Sequence, residues 1–246
     1  MSTLPFVLAS RRVLAPGVLE LGLARADGAP IAFVPGQFLQ LHLPGPDGAL
    51  LRRSYSILDQ ASPVAVAHVA ISLVPGGLAS TLLQELEPGA VLQGGAPMGR
   101  FHLMPGDANR RYLLLATGTG ASPFHGMLPG LAGAIASRDA HVVIAHGART
   151  RAELLYRDAF EAFAAAHPGR VRYLPCTSRE PADASGWADA RTGHVQDALE
   201  ALAPDPAGDI AYLCGNPAMV DAGFEALKAH GLGLAQLRRE KYISLK

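Results

Sequence analysis

The sequence predicts two domains, an antiparallel β-barrel over residues 1–105 and a parallel-sheet α/β domain over residues 106–246. Two observations carry that expectation. Residues 5 to 100 read as short strands broken repeatedly by Gly and Pro, the texture of a small barrel. Beyond Gly106-Asp107-Ala108-Asn109, continuous apolar runs alternate with longer helical patterns, as in a parallel sheet covered on both faces.

In the first half, Phe6 to Leu14 and Val18 to Leu23 are strands around a turn at Pro16-Gly17. Gln37 to Leu43 alternates polar and apolar residues strictly, the mark of a half-buried strand. Pro44-Gly45-Pro46-Asp47-Gly48 is a loop, and Leu51 to Leu58 and His68 to Val74 are further strands. A short helix over Ala79 to Glu87 stops at Pro88-Gly89. In the second half, Tyr112 to Ala116, His141 to Ala145, Val171 to Leu174 and Ile210 to Cys214 are the strands. Helices are expected from Pro123, over Ala152 to Ala166, and over Pro217 to Ala229.

Composition excludes several classes. Hydrophobic residues make up 49% and charged residues 17% of the 246, with a formal net charge of zero. A nucleic-acid partner needs a basic patch, and none is written here. No run of about twenty apolar residues suggests membrane insertion, so a soluble, cytoplasmic protein is expected. Cys176 and Cys214 are the only cysteines, too few and too far apart for a zinc site or an iron–sulfur cluster.

The chemistry concentrates in three places. In Arg53-Ser54-Tyr55-Ser56, strand alternation puts Arg53 and Tyr55 on one face and Ser54 and Ser56 on the other. A guanidinium grips a pyrophosphate and a phenol ring lies on a flat heterocycle, so one molecule carrying both would be held twice. In Gly76-Gly77-Leu78-Ala79-Ser80, two glycines let the backbone approach a ligand at a helix N-terminus, with Ser80 adding a hydroxyl. Thr117-Gly118-Thr119-Gly120-Ala121-Ser122-Pro123 resembles a dinucleotide loop without its third glycine, Ser122 serving as helix cap. The next strand ends in no ribose-binding carboxylate. It ends at His146-Gly147 with Arg149 and Arg151 beyond, and the third strand leads to Ser178-Arg179. Those groups suit a 2′-phosphate, hence NADP over NAD. Arg191 is a further candidate for that pocket. Asn216-Pro217, after Cys214-Gly215, repeats the cap-then-proline helix start.

Together these motifs resemble the ferredoxin–NADP reductase family, particularly its bacterial ferredoxin/flavodoxin reductases. Arg53-x-Tyr55-Ser56, Gly76-Gly77-x-x-Ser80, Gly95 to Phe101, Gly118-Thr119-Gly120-x-x-Pro123 and Cys214-Gly215-x-Pro217-x-Met219 occur in the family's order. The resemblance implies a six-stranded antiparallel FAD barrel followed by a five-stranded parallel NADP domain. It implies that NADPH passes hydride to flavin N5 and that electrons leave singly to a separate carrier, ferredoxin or flavodoxin. In that scheme Arg53 holds the pyrophosphate, Tyr55 stacks on the flavin, Ser56 reaches towards N5, Cys214 borders the nicotinamide, and Ser178-Arg179 bind the 2′-phosphate. Glu240-x-Tyr242 resembles the family's C-terminal Glu-x-Tyr, with Tyr242 covering the flavin, Glu240 relaying protons, and the tail from Ile243 to Lys246 continuing past it. A monomer is expected. A reductase component of an oxygenase, a flavin reductase and a non-catalytic flavin-binding module are the other classes.

Overall fold

The computed structural model describes residues 3–181 and 189–243. It forms two units: residues up to Leu103 with Ser122–Met127, and Met104–Ala121 with Leu128–Ile243.

The first unit contains β1 (Leu4–Ala15), β2 (Val18–Arg25), β3 (Phe38–Pro44), β4 (Leu50–Ser56), β5 (Val66–Ser72), α1 (Leu78–Glu85) and β6 (Val91–Gly94). The strands form one antiparallel sheet in the order β4-β3-β6-β1-β2-β5. Alternation in β3 sends Leu39, Leu41 and Leu43 into the core. Phe6, Leu8, Leu21, Leu23, Ile57, Val69 and Ile71 fill the rest, with Leu83 of α1 fully buried beside them. An isolated antiparallel bridge from Ile57 to Val69 joins the end of β4 to β5, the two ends of the sheet order. Gly17 makes the β1–β2 turn at φ 71°, a conformation that glycine adopts without a Cβ penalty. β6, four residues long, is too short for its sequence to show a period.

The second unit is a parallel sheet of β7 (Arg111–Thr117), β8 (His141–Ala148), β9 (Val171–Thr177), β10 (Arg191–Thr192), β11 (Asp209–Gly215) and β12 (Leu237–Lys241). Their order is β10-β9-β8-β7-β11-β12. The helices are α2 (Ser122–Arg138), α3 (Arg157–Ala166), α4 (Leu199–Leu202) and α5 (Pro217–Ala229). β7 and β11 are buried along nearly their whole length, which explains their unbroken apolar runs. At the start of β7, Arg111 makes paired hydrogen bonds to Asp209 of β11, 2.8 and 2.5 Å long, and donates to the carbonyls of Leu202 and Ala203.

Four expectations are corrected. The parallel sheet has six strands, not five, because the two-residue β10 joins one edge and β12 the other. β12 comprises Leu237–Lys241, the first part of what read as a charged tail. Its charged side chains are satisfied by neighbours instead of by burial, a pattern that periodicity cannot detect. Helix α3 begins at Arg157 rather than Ala152: a 3-10 turn over Arg151–Glu153 precedes it, Leu154 and Leu155 turn into the core, and Tyr156 takes φ 55°. Ser122 is not a cap. A 3-10 turn over Gly118–Ala121 runs directly into α2, and Ser122 is its first residue. Strand β9 also continues through Pro175, where β10 supplies no partner and the missing amide costs no ladder bond on that side.

Candidate functional site: two nucleotide-binding halves

In the first unit the candidate residues gather at the barrel seam. The Ile57–Val69 bridge is antiparallel, so the residues before Ile57 lie on the same side of it as those after Val69. The first group includes Tyr55 and Arg53, and the second leads into Val74–Ser80. β4 and β5 form no ladder there, so the seam opens between a strand edge and a helix N-terminus. Arg53 and Tyr55 share a face, in register with Leu41 and Leu39 of β3. Tyr55 packs against the barrel core, and desolvation raises its phenol to about 12, so it stays neutral. The Arg53 guanidinium donates to the carbonyl of Arg52 at 2.9 Å and, among the described residues, pairs with no carboxylate. Ser54 is exposed on the opposite face, and Ser56 is buried.

Across the seam, Gly76 has φ 71° and nothing within 4 Å of where its Cβ would stand. The Ser80 hydroxyl accepts from the Val74 amide at 2.8 Å and pins the glycine turn onto the first turn of α1. Leu78 and Ala79 are the first two residues of α1, whose early amides have no carbonyl four residues back to bond. An uncompensated guanidinium, a half-buried neutral phenol and an open glycine turn at a helix start fit a dinucleotide carrying a flat ring system, and hence FAD.

In the second unit the loops after β7 and β11 lie against each other. A Cβ on Gly215, at φ 126°, would stand 2.5 Å from the carbonyl and the hydroxyl oxygens of Thr117. The Asn216 amide donates to the Thr117 hydroxyl at 2.9 Å, and the Asn216 side chain accepts from Ala218 at 2.8 Å, capping α5. Gly118 has φ 54° and open space at its Cβ position, whereas Thr119 and Gly120 are buried. Small residues at two neighbouring strand ends, one of them a capped helix start, make a ligand crevice of the doubly wound kind.

Cys214, the next-to-last residue of β11, is fully buried, and burial pushes its thiol well above the ordinary range. Strand β12 runs beside it. Cys214 is in register with Glu240, and the Tyr242 amide donates to the Gly215 carbonyl at 2.8 Å. The Tyr242 side chain hydrogen-bonds the Cys214 sulfur. Ser244, Leu245 and Lys246 of the expected tail lie outside the described residues.

The four arginines considered for a 2′-phosphate differ in their commitments. Arg149 pairs with Glu153 at 2.7 Å, and Arg151 with Glu180 at 3.2 Å. Those carboxylates stand 4 and 29 residues away in the chain, so the sequence did not show that they neutralise their arginines. Arg179 is exposed and, among the described residues, pairs with no carboxylate. Backbone bonds from Ser178 to Ala148 and from Arg179 to Arg149, 3.0 and 2.9 Å long, fix its place beside β8. Arg191 lies on β10, in register with Cys176. At the opposite end of the sheet a cleft of about 450 Å³ includes Arg111, Arg170 and Arg172. These pair with Asp209, Asp139 and Asp189, so that end offers an anion no uncompensated cation of theirs.

Residues 12–103 match the oxidoreductase FAD-binding domain and residues 114–223 the oxidoreductase NAD-binding domain. The chain is 38% identical over 216 residues to ferredoxin–NADP reductase B of Sorangium cellulosum, covering 87% of this chain and 86% of that protein. It is 35% identical over 237 residues to the reductase subunit of an aromatic O-demethylase of Amycolatopsis, covering 95% of this chain and 65%, just under two thirds, of that protein. The crystal structure of an Amycolatopsis cytochrome P450 reductase superposes with a TM-score of 0.82 at 33% identity, over 98% of this chain and 69% of that one. Among the described residues, no helix is long and apolar enough to cross a membrane. With both domain models matched in order, and with such identity over most of a full-length relative, the chain belongs to the ferredoxin–NADP reductase family of FAD- and NAD(P)-binding oxidoreductases.

Proposed function

We propose that this protein is a cytoplasmic, monomeric ferredoxin/flavodoxin–NADP⁺ reductase that moves electrons between NADPH and a one-electron carrier protein. The observation that carries this reading is the arrangement at Cys214, where β12 brings Glu240 and Tyr242 alongside the thiol at the mouth of the β7–β11 crevice. Bound FAD would supply the exchange between hydride and single electrons, which no side chain provides. The protein's part is to hold and orient. Arg53 and the amides at Leu78 and Ala79 bind the pyrophosphate, and Ser80 holds their turn in shape. Tyr55 presents a neutral ring to one face of the flavin, and Ser56 offers its hydroxyl near N5. Thr117, Gly118, Thr119, Gly120 and Gly215 line the crevice for the second dinucleotide, with Ser178 and Arg179 on its 2′-phosphate. Arg149, already paired with Glu153, adds less. The Cys214 thiol stays protonated and gives the nicotinamide an uncharged border. Tyr242 shields the flavin until nicotinamide displaces it, and Glu240 exchanges protons with solvent.

A second reading, a reductase component serving an oxygenase, is supported by the 35% identity to the O-demethylase reductase subunit. An acceptor panel separates the two. The purified yellow protein should bleach with NADPH faster than with NADH, and should then reduce ferredoxin or flavodoxin in preference to free flavin. Preference for an oxygenase component over both carriers would overturn the first reading. Failure to bleach with either nucleotide would overturn both.

A further inference from the structure

Asp221 lies on α5, outside every motif that pointed to nucleotide binding. Its carboxylate holds Lys241 with contacts of 2.6 and 2.8 Å and lies 3.8 Å from Arg239. Both cations are on β12, one on each side of Glu240. Arg239 also lies over the Phe224 ring of α5, 3.9 Å from its centroid. β12 is the outermost strand on its side of the sheet, ladders only to β11 among the described residues, and contributes a single buried apolar residue, Leu237. Hydrophobic burial therefore holds little of it. Ion pairs to α5 act on the half of the strand nearest Tyr242.

We propose that Asp221 is a positioning residue that locks the end of β12 through Lys241 and Arg239, and so sets how readily Tyr242 leaves the Gly215 carbonyl. The carboxylate and both cations are roughly half exposed, so salt screens the lock. Its strength is a property of this chain alone. The functional consequence rests on the reading above, in which Tyr242 must move for nicotinamide to bind.

The test is amide exchange on the FAD-loaded protein and its Asp221→Asn and Asp221→Glu variants. Asp221→Asn should speed exchange of the Tyr242 amide about fivefold, the scale of losing a partly exposed ion-pair network, and leave the β7 and β8 amides unchanged. Asp221→Glu should restore slow exchange. Raising the salt concentration should speed the wild-type amide and leave the Asn variant unmoved. Unchanged Tyr242 exchange in Asp221→Asn, or equal salt dependence in the two proteins, overturns the proposal. NADP⁺ titration then tests the reading of Tyr242 separately. Faster exchange with several-fold tighter NADP⁺ binding supports lock and shield together. Faster exchange with unchanged NADP⁺ affinity upholds the lock and removes the shield.

Discussion

A Cβ placed on Gly120 would stand 2.3 Å from the carbonyl oxygen of Cys214. The carbonyl carbon, at 2.5 Å, and Gly215 Cα, at 2.7 Å, are also well inside van der Waals contact, so backbone rather than a yielding side-chain end blocks the space. Gly120→Ala should push the two strand-end loops apart, at a stability cost of about 1–3 kcal/mol for overpacking. NADP⁺ affinity should fall at least tenfold while FAD content stays stoichiometric. Calorimetric titration beside the flavin absorbance spectrum reads both, and equal loss of the two cofactors would show general unfolding.

Arg53→Ala should lower FAD retention with little change in folding, because among the described residues the guanidinium makes one hydrogen bond, to the neighbouring carbonyl of Arg52. Dialysis followed by flavin quantitation checks this. A variant that keeps one FAD per chain through dialysis removes Arg53 from the pyrophosphate site.

Arg179→Ala should weaken NADPH at least tenfold, since a hydrogen bond to a charged group contributes about 1.5–3 kcal/mol, and leave NADH nearly unchanged. Arg149→Ala should cost NADPH less, because Glu153 already holds that guanidinium. Steady-state kinetics with both nucleotides on both variants distinguishes them. Equal losses of NADPH and NADH in Arg179→Ala would sink the assignment.

Tyr242→Ser removes the ring proposed to shield the flavin, a stacking contact that would be worth about 0.5–1.5 kcal/mol. NADP⁺ should bind up to tenfold tighter, and the NADH rate should rise relative to NADPH. Stopped-flow reduction and NADP⁺ titration measure both. Unchanged affinity, NADH rate and flavin spectrum would make Tyr242 a strand-end residue with no part in nucleotide exchange.

His146 on β8 is fully buried against Phe160 and Tyr173, and its Nε2 has no hydrogen-bond partner among the described residues. Burial pushes its pKa down from 6.5 to about 3. The unfolded chain therefore binds the proton first as pH falls, and stability is lost progressively from about pH 6.5 towards 3, reaching about 2 kcal/mol at pH 5. His146→Leu should flatten this acid limb and cost little at pH 7.5, where the orphaned nitrogen disappears with the ring. Urea melts at pH 5 and 7.5 decide it. Parallel pH dependence in the two proteins would contradict the buried neutral imidazole. His68, raised by its hydrogen bond to Asp59, has the opposite sign: its contribution is full below about pH 6.5 and fades as pH rises through the raised pKa.

What the sequence disclosed follows physical range. The fully buried strands β7 and β11 announce themselves as apolar runs, and β3 by its period of two. Gly120 and Gly215 are legible because a close backbone approach excludes larger residues, and Gly118 because its φ of 54° favours a residue without a Cβ. β12 was not, because its cations are satisfied by Asp221 and Phe224 of α5, which no local period encodes. The start of α3 was missed for a related reason: Leu154 and Leu155 fit a helical pattern but are buried from a turn. Glu153 and Glu180, which neutralise Arg149 and Arg151, do so through the fold and leave no mark in the arginine motifs. Of the candidate site, the residue types were legible and their mutual commitments were not.

Thr117 and Asn216, whose hydrogen bond ties the crevice together, are 99 residues apart in the chain. Between them the chain builds β8, β9 and β10 on one side of β7 and then returns to lay β11 on the other. The crevice is therefore a product of loop closure over a long span, and formation of β7, β8 and β9 does not bring it into being. During refolding, nucleotide affinity should emerge only as the β7–β11 ladder closes, after helical signal has already returned. A ligand present from the start would act on that late step alone, stabilising the closed chain without speeding the assembly of the sheet's other half.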